Sequence, residues 1–238
     1  MRDPGSEPDA GKGRPHHAGR PIPSCRQWTP LGRALTVAAD NWTLLIAAQM
    51  AEERVRLTEL RSRLAGVSAG VIDRYLHQMV QAGLMTRQRF REKPPRVELE
   101  LTDAGRELLP IAAALARWGL RHAWSEPHAG EQVDVEALLR AFPMLLGDGL
   151  ELQDMAIELI LAEGEQESRH RFALRGGTLR RATEQERDPG PSAAVRGDRG
   201  AWKDAFGPIG DTAQLRISGE EEPARRLLAA LHERAAAR

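Results

Sequence analysis

Five cations, Arg87, Arg89, Arg91, Lys93 and Arg96, fall within ten residues and are opposed there only by Glu92. Guanidinium groups in such a run suit bidentate contact with phosphate oxygens. A second group lies just upstream. Ser68, Gly70, Asp73, Arg74, His77 and Gln78 share the polar side of a helical stretch whose apolar stripe is Ile72, Leu76, Met79 and Val80. On a helix entering the major groove, outward side chains of the first turns reach base edges. Arg would donate to guanine O6 and N7, and Asp would accept from cytosine N4. Arg56, further upstream, is a candidate for one more backbone contact. A solvated helix face and a solvated charge run would use the same residue types, so the elements that carry them decide the reading.

The order of those elements is that of a winged helix-turn-helix. The spacing predicts a short helix from Leu57 to Leu64, a turn at Ala65-Gly66-Val67, and a second helix opening at Ser68 and closing at Gly83. A hairpin then runs from Leu84 to Arg89, turns at Pro94-Pro95 and returns from Arg96 to Leu101. Strand alternation would send Arg87, Arg89 and Arg91 to one face, read as the outer face of the wing. Ahead of this unit, Thr29-Pro30 marks a helix start, and a helix from about Asn41 presents Trp42, Leu45, Ile46 and Gln49/Met50 inward. Behind it, Thr102-Asp103 caps a long helix, Ala104 to Trp124, apolar at Leu108, Ile111, Ala112, Leu115, Trp118 and Leu120. A small winged domain has too little core to bury that stripe, so pairing with the same helix of a second chain is expected, with packing on the C-terminal half of the same chain as the alternative.

The 238 residues carry no formal net charge, but the balance is uneven. Residues 24–125 hold 15 basic and 10 acidic groups, and residues 126–238 hold 15 and 21. The positive excess therefore lies where phosphate contact is proposed. Residues 1–23, with five Pro and four Gly, read as a disordered tail without the apolar core of a signal peptide. Cys25, the single cysteine, excludes an internal disulfide and a cysteine-built zinc site, and fits a reducing compartment. No apolar run is long enough for a bilayer, so a cytoplasmic protein with no membrane association is expected.

After a linker at 126–132, the pattern predicts a helix from Val133 to Leu146 and strands over 150–161, 169–174 and 178–183. Gly176-Gly177 forms a hairpin turn between the last two. A strand at 192–195, a helix capped by Asp198 and bearing Trp202 and Phe206, a strand at 214–217 and a helix from Pro223 complete the chain. The fold class is α+β, a winged helix-turn-helix domain at 24–125 followed by a helix and antiparallel-sheet domain at 133–238.

These residues resemble a known family. Asp40 to Ile46, Arg56 to Leu60, Val67-Ser68, Ala82 to Leu84, Pro94 to Glu98, Leu101-Thr102 and Gly105 are similar to the HxlR-type winged helix regulators over residues 28–122. The resemblance implies a dimeric cytosolic transcription factor, often a repressor, on palindromic double-stranded DNA. Three departures stand out. Thr29-Pro30 occupies the place of the family's Cys-Pro, so redox sensing is not carried over to Cys25. Gly70 and Tyr75 stand where basic residues are usual, and Asp73 puts an acid on the DNA-facing side. More weakly, residues 133–235 resemble a sterol-carrier-protein type domain, through Ala194 to Asp198, Trp202, Leu215 to Gly219 and the apolar final helix. That resemblance implies a pocket for a hydrophobic small molecule.

The seven histidines are scattered without metal spacing, and no phosphate cradle or nucleophile elbow is present, so neither catalysis nor a cofactor is expected. The reading is a homodimeric DNA-binding regulator. A carrier or interaction module that uses its winged part only to dimerise is the alternative.

Overall fold

The computed structural model describes residues 28–40, 42–51, 54–64, 66–91, 96–183, 186 and 190–236. The predicted tail at 1–23, Cys25, Lys93 and the Pro94-Pro95 turn lie outside the described residues. The described residues divide after Asp40 into two units. In the first, α1 (Pro30–Ala38) opens with Thr29 as N-cap, whose Oγ1 accepts from Gly32 N at 3.0 Å. Pro30 supplies the fixed φ of a first helical turn.

In the second unit, α2 (Thr43–Gln49), β1 (Val55–Arg56), α3 (Leu57–Arg63), α4 (Ala69–Gln81), β2 (Met85–Phe90) and β3 (Arg96–Leu101) follow one another. The strands form an antiparallel sheet in the order β1-β3-β2. Ile46, Met50, Val55, Leu57, Leu60, Ile72, Leu76, Met79, Met85, Leu99 and Leu101 close one core beneath it. Leu45, expected inward, is 42% exposed. The buried stripe of α2 is instead Thr43, Ile46, Ala47 and Met50, spaced i, i+3, i+4, i+7, and Leu45 lies off it.

The long helix predicted from Ala104 to Trp124 is broken. α5 (Asp103–Arg106) and α6 (Leu108–His122) meet at Glu107. Pro110 explains the break, because it has no N–H for the carbonyl of Arg106 and its ring crowds that carbonyl. Thr102 caps α5, accepting from Gly105 N at 3.2 Å, and donates its hydroxyl to Gly83 O at 2.6 Å. α6 has three faces. Leu108 and Leu109 pack on the winged core, Ala116 and Leu120 pack on the C-terminal core, and Ile111, Leu115 and Trp118 are exposed.

The C-terminal half consists of α7 (Val135–Leu146), β4 (Met155–Glu163), β5 (Gln166–Arg175), β6 (Thr178–Arg181), β7 (Ala193–Gly197), α8 (Arg199–Phe206), β8 (Arg216–Gly219) and α9 (Glu221–Ala236). Among the described residues its sheet has the order β6-β5-β4-β7-β8. The expected all-antiparallel sheet is corrected at one place, since β7 runs parallel to β4. After edge strand β6 the chain comes back to the far side of β4 in β4's own direction, a crossover no tight hairpin can make. β4 and β5 also extend further than predicted, to a two-residue turn at Gly164-Glu165. Gly164 there takes φ +61°, as a type II′ turn requires at its first central position.

On one face of this sheet Met155, Ile157, Leu159, Phe172, Leu174 and Val195 meet α7, α8 and α9. Phe142 is edge-on to Phe172 and Phe206, with centroids 6.3 and 5.8 Å away, and Trp202 Nε1 donates to Ile160 O at 2.9 Å. The other face is polar. Glu158 is buried under Arg169 and Arg171, which hold its two oxygens.

The two cores adjoin along α2, α6 and α7. Arg117 donates to Met144 O at 3.0 Å, and Trp124 Nε1 donates to Phe206 O at 2.8 Å. Arg140 Nε donates to Gln49 Oε1 at 3.2 Å. Residues 123–134 connect the two halves with neither helix nor strand.

Candidate nucleic-acid interface

α4 begins where Ser68, in extended conformation, accepts from Val71 N at 3.4 Å. Its buried line is Ile72, Leu76 and Met79, while Val80 is half-buried. Gly70, Arg74, His77 and Gln78 are exposed on the opposite side, and a Cβ on Gly70 would meet nothing within 4 Å. Arg74 stands over the Tyr75 ring, 5.0 Å from its centroid. Tyr75 itself tilts against Trp42 at 6.4 Å, so the aromatic residue at this family-divergent position has a packing role.

Asp73 is committed elsewhere. Arg61 of α3 donates to its Oδ2 at 2.8 Å. That pairing opposes the carboxylate's negative charge and weakens its repulsion of phosphate through Oδ2 alone, while Oδ1 is buried without a hydrogen-bond partner. Arg61 was not among the sequence candidates. Arg61 and Asp73 are twelve residues apart on different helices, so no local spacing in the sequence joins them.

The wing divides its cations. In the β2–β3 register Met85 pairs with Leu101, Arg87 with Leu99 and Arg89 with Val97. Arg87 and Arg89 therefore lie on the face that carries Met85 and Leu99 into the core, not on the outer face predicted for them. The face is buried at its base and leaves the core toward the tip. Arg87 is accordingly half-buried, and Arg89 is exposed. α4 packs on this same side of the sheet, which brings the recognition helix and these two arginines together. Arg91 is exposed just beyond β2. The outer face is mixed in charge. Arg96 pairs with Glu98 at 3.0 Å and covers the Phe90 ring at 4.7 Å, and Arg56 sits opposite Glu98 in the β1–β3 register. Arg54 and Arg106 both reach Glu100, at 2.8 and 3.3 Å. Arg56 and Arg96 thus belong to a different face from Arg87 and Arg89.

Ser168, His170 and Glu136 lie together at the edge of the C-terminal core. Ser168 Oγ lies 3.3 Å from His170 Nε2, and the same nitrogen lies 2.8 Å from a Glu136 oxygen. A carboxylate only accepts, so Nε2 carries the proton and is not a base for the serine. Among the described residues no group of three or more His, Cys, Asp or Glu converges as metal ligands, and no helix is long and apolar enough to cross a membrane.

The hydrogen bond from His170, with a smaller one from Ser168, holds the Glu136 carboxyl at about 2, against an ordinary 4.5; burial opposes the shift. A depressed carboxylate pKa stabilises the fold above the unfolded value, and that contribution is lost as pH falls from about 4.5 toward 2. Glu136→Gln is expected to cost about 1–2 kcal/mol at pH 7, allowing for solvent screening of a partly exposed group. It should cost little near pH 2. Urea unfolding of both proteins at the two pH values checks this.

A two-helix corner, a second helix with one polar side and a β-hairpin packed on that helix's own side define a winged helix-turn-helix, a DNA-binding class. The HxlR-like helix-turn-helix family matches residues 37–127. An uncharacterised HTH-type transcriptional regulator of Halalkalibacterium halodurans is 31% identical over 97 residues, 40% of this chain and 86% of that protein. Another, from Methanothermobacter thermautotrophicus, is 28% identical over 99 residues, 42% of this chain and 76% of its own. A crystal structure provisionally described as a MarR-family transcriptional regulator of Porphyromonas gingivalis has 31% identity and a TM-score of 0.39, over 40% of this chain and 94% of that one. The chain belongs to the HxlR-like family of helix-turn-helix transcriptional regulators, DNA-binding proteins rather than enzymes.

Proposed function

We propose that the chain is a homodimeric repressor that reads a palindromic operator and responds to a hydrophobic small molecule through its C-terminal half. One observation carries the DNA-reading part. The exposed side of α4 and the Arg87–Arg89 face of the wing project from the same side of one sheet. On this reading Ser68, Gly70, Arg74, His77 and Gln78 approach the bases. Arg74 is the donor to guanine, and Arg87, Arg89, Arg91 and Lys93 hold phosphates. Arg56 and Arg96, on the outer face, serve the backbone at the rim. Asp73 sets the pose of the helix through Arg61.

Dimerisation is supported by α6, where Ile111, Leu115 and Trp118 are 54, 54 and 52% exposed at helical spacing. The recognition helices of a dimer must sit about 34–36 Å apart to enter successive major grooves. The ligand reading is supported by the five-stranded sheet covered on one face by α7, α8 and α9, as expected of a sterol-carrier-like domain. An apolar guest would enter by parting the rings of Phe142, Phe172 and Phe206. Binding in only one dimer geometry would then shift the population of DNA-competent dimers.

One set of DNA titrations tests the core of this reading. Footprinting the DNA beside the chain's own gene should show two protected half-sites one helical turn apart. In a salt titration on that site, Arg89→Ala and Arg91→Ala should each lower the slope of log affinity against log salt by about one. A single unpaired footprint, or slopes equal to the wild type's, would overturn it.

A further inference from the structure

A series of hydrogen bonds, bridged between Arg63 and Arg61 by the backbone of α3, leads from the C-terminal sheet to the recognition helix. His170 on β5 donates to Glu136 of α7, at 2.8 Å. Glu136 pairs one turn along α7 with Arg140 NH1, at 3.3 Å. Arg140 Nε reaches across the junction to Gln49 Oε1, at 3.2 Å. Gln49 is the last residue of α2, and its backbone oxygen accepts from Arg63 NH1 at 2.6 Å. Arg63 also pairs with Glu59, both on α3. Two residues before Arg63, Arg61 holds Asp73 on α4, at 2.8 Å.

Each step ties one element to the next, in the order β5, α7, α2, α3, α4. The middle of the line is shielded from water. Gln49 and His170 are buried, and the Arg63 and Arg140 side chains are 16 and 20% exposed. Burial lowers the pKa of the Arg140 guanidinium, with Arg63 and Arg181 nearby contributing in the same direction and Asp134 and Glu136 opposing. A partly desolvated guanidinium with oriented acceptors is costly to leave unpaired, so these groups should move together. Gln49 completes the junction by contributing both its side chain to α7 and a helix-terminal carbonyl to α3.

We infer that Arg140 is a positioning residue for DNA binding: through Gln49 and Arg63 the C-terminal half sets the pose of α3, and through Arg61 and Asp73 that of α4. The inference rests on the DNA-reading assignment of α4. A change in α7, such as a guest parting Phe142 from its neighbours would cause, reaches the reading helix through side chains on α7 itself.

The test uses the full chain and the variants Arg140→Ala, Gln49→Ala, their double and Arg140→Lys. Two probes are needed: a duplex selected in vitro on the wild-type protein, and a random duplex of equal length. Affinities are measured alongside amide hydrogen exchange in α3 and α4. Each single alanine variant should bind the selected duplex about five- to tenfold more weakly. The double should be no weaker than the worse single, because both remove the same link. Affinity for the random duplex should stay within about twofold, since every phosphate-binding cation remains. Amides of Ala69 to Leu76 should exchange about tenfold faster in all three. Arg140→Lys, which keeps the charge but loses the fork, should fall between.

A general loss of stability would instead weaken both duplexes together and speed exchange throughout. That outcome overturns the inference, as do additive losses, wild-type affinities or exchange changes confined to α7. Should Arg140→Ala fail to fold, Gln49→Ala and Arg140→Lys carry the same comparison. If the wild type bound no duplex at all, the DNA-reading assignment would fall on that result alone. The line from Arg140 to α4 would still stand or fall on the exchange data.

Discussion

Replacing Gly105 by alanine is expected to destabilise the winged half by about 3 kcal/mol and lower its melting temperature by roughly 10 °C. A Cβ at this position would sit 2.0 Å from the carbonyl oxygen of Leu84, with the Leu101 side chain at 3.2 Å. The obstacle is backbone, which has no rotamer by which to yield. The same Leu84 oxygen accepts from Thr102 N at 3.0 Å, so α5 must start pressed against the chain leaving α4. To admit the methyl group, α5 would have to withdraw and give up that bond, and with it the bond from the Thr102 hydroxyl to Gly83 O. Thermal unfolding by circular dichroism measures the loss. A melting temperature within about 2 °C of wild type would show that the approach of α5 is looser than described. Operator binding should fall in parallel, because the β3–α5 corner anchors the base of the wing.

The second large effect is expected at Phe142. Its side chain is fully buried and touches rings from β5 and α8. Phe142→Ala removes these contacts and leaves a cavity that rigid neighbours on the sheet cannot close, at a cost of about 3–5 kcal/mol. Edge-to-face ring contacts add to the loss beyond buried area. Urea unfolding should register the whole amount. The variant also separates two possibilities for the junction. If the two halves unfold as one cooperative body, the winged half should melt with the C-terminal half. If they do not, a second, unshifted transition should remain.

Local chemistry made much of this fold legible. Thr29, Ser68, Thr102 and Asp198 each cap the helix predicted to follow, because a short side-chain oxygen beside free amides is decisive on its own. Gly176-Gly177 marks its hairpin turn for the same kind of reason. β1 was missed, since two residues show no periodicity and Val55-Arg56 become a strand only by pairing with β3. The break at Glu107 was missed although Pro110 signalled it, the apolar stripe on both sides having suggested one helix. The end of the β4–β5 hairpin was hidden because Glu163 to Ser168 is polar on both faces. Alternation predicted correctly that Arg87 and Arg89 share a face, but not which face. That depends on Leu99 and Val97 lying opposite them, a matter of register. The partnership of Arg140 with Gln49 joins residues 91 apart and left no local trace.

The three-sided packing of α6 bears on how this molecule can be taken apart. Relatives matched over 97 and 99 residues suggest that the first half could be excised and studied as a miniature of its kin. Here, however, a cut after His122 would bare Ala116 and Leu120 beside the already open Ile111, Leu115 and Trp118, and would strip Arg117 of its acceptor. The severed piece would present an oily helix to water on two flanks at once. Dissection by point substitution in the intact molecule is therefore the sounder route to its biology.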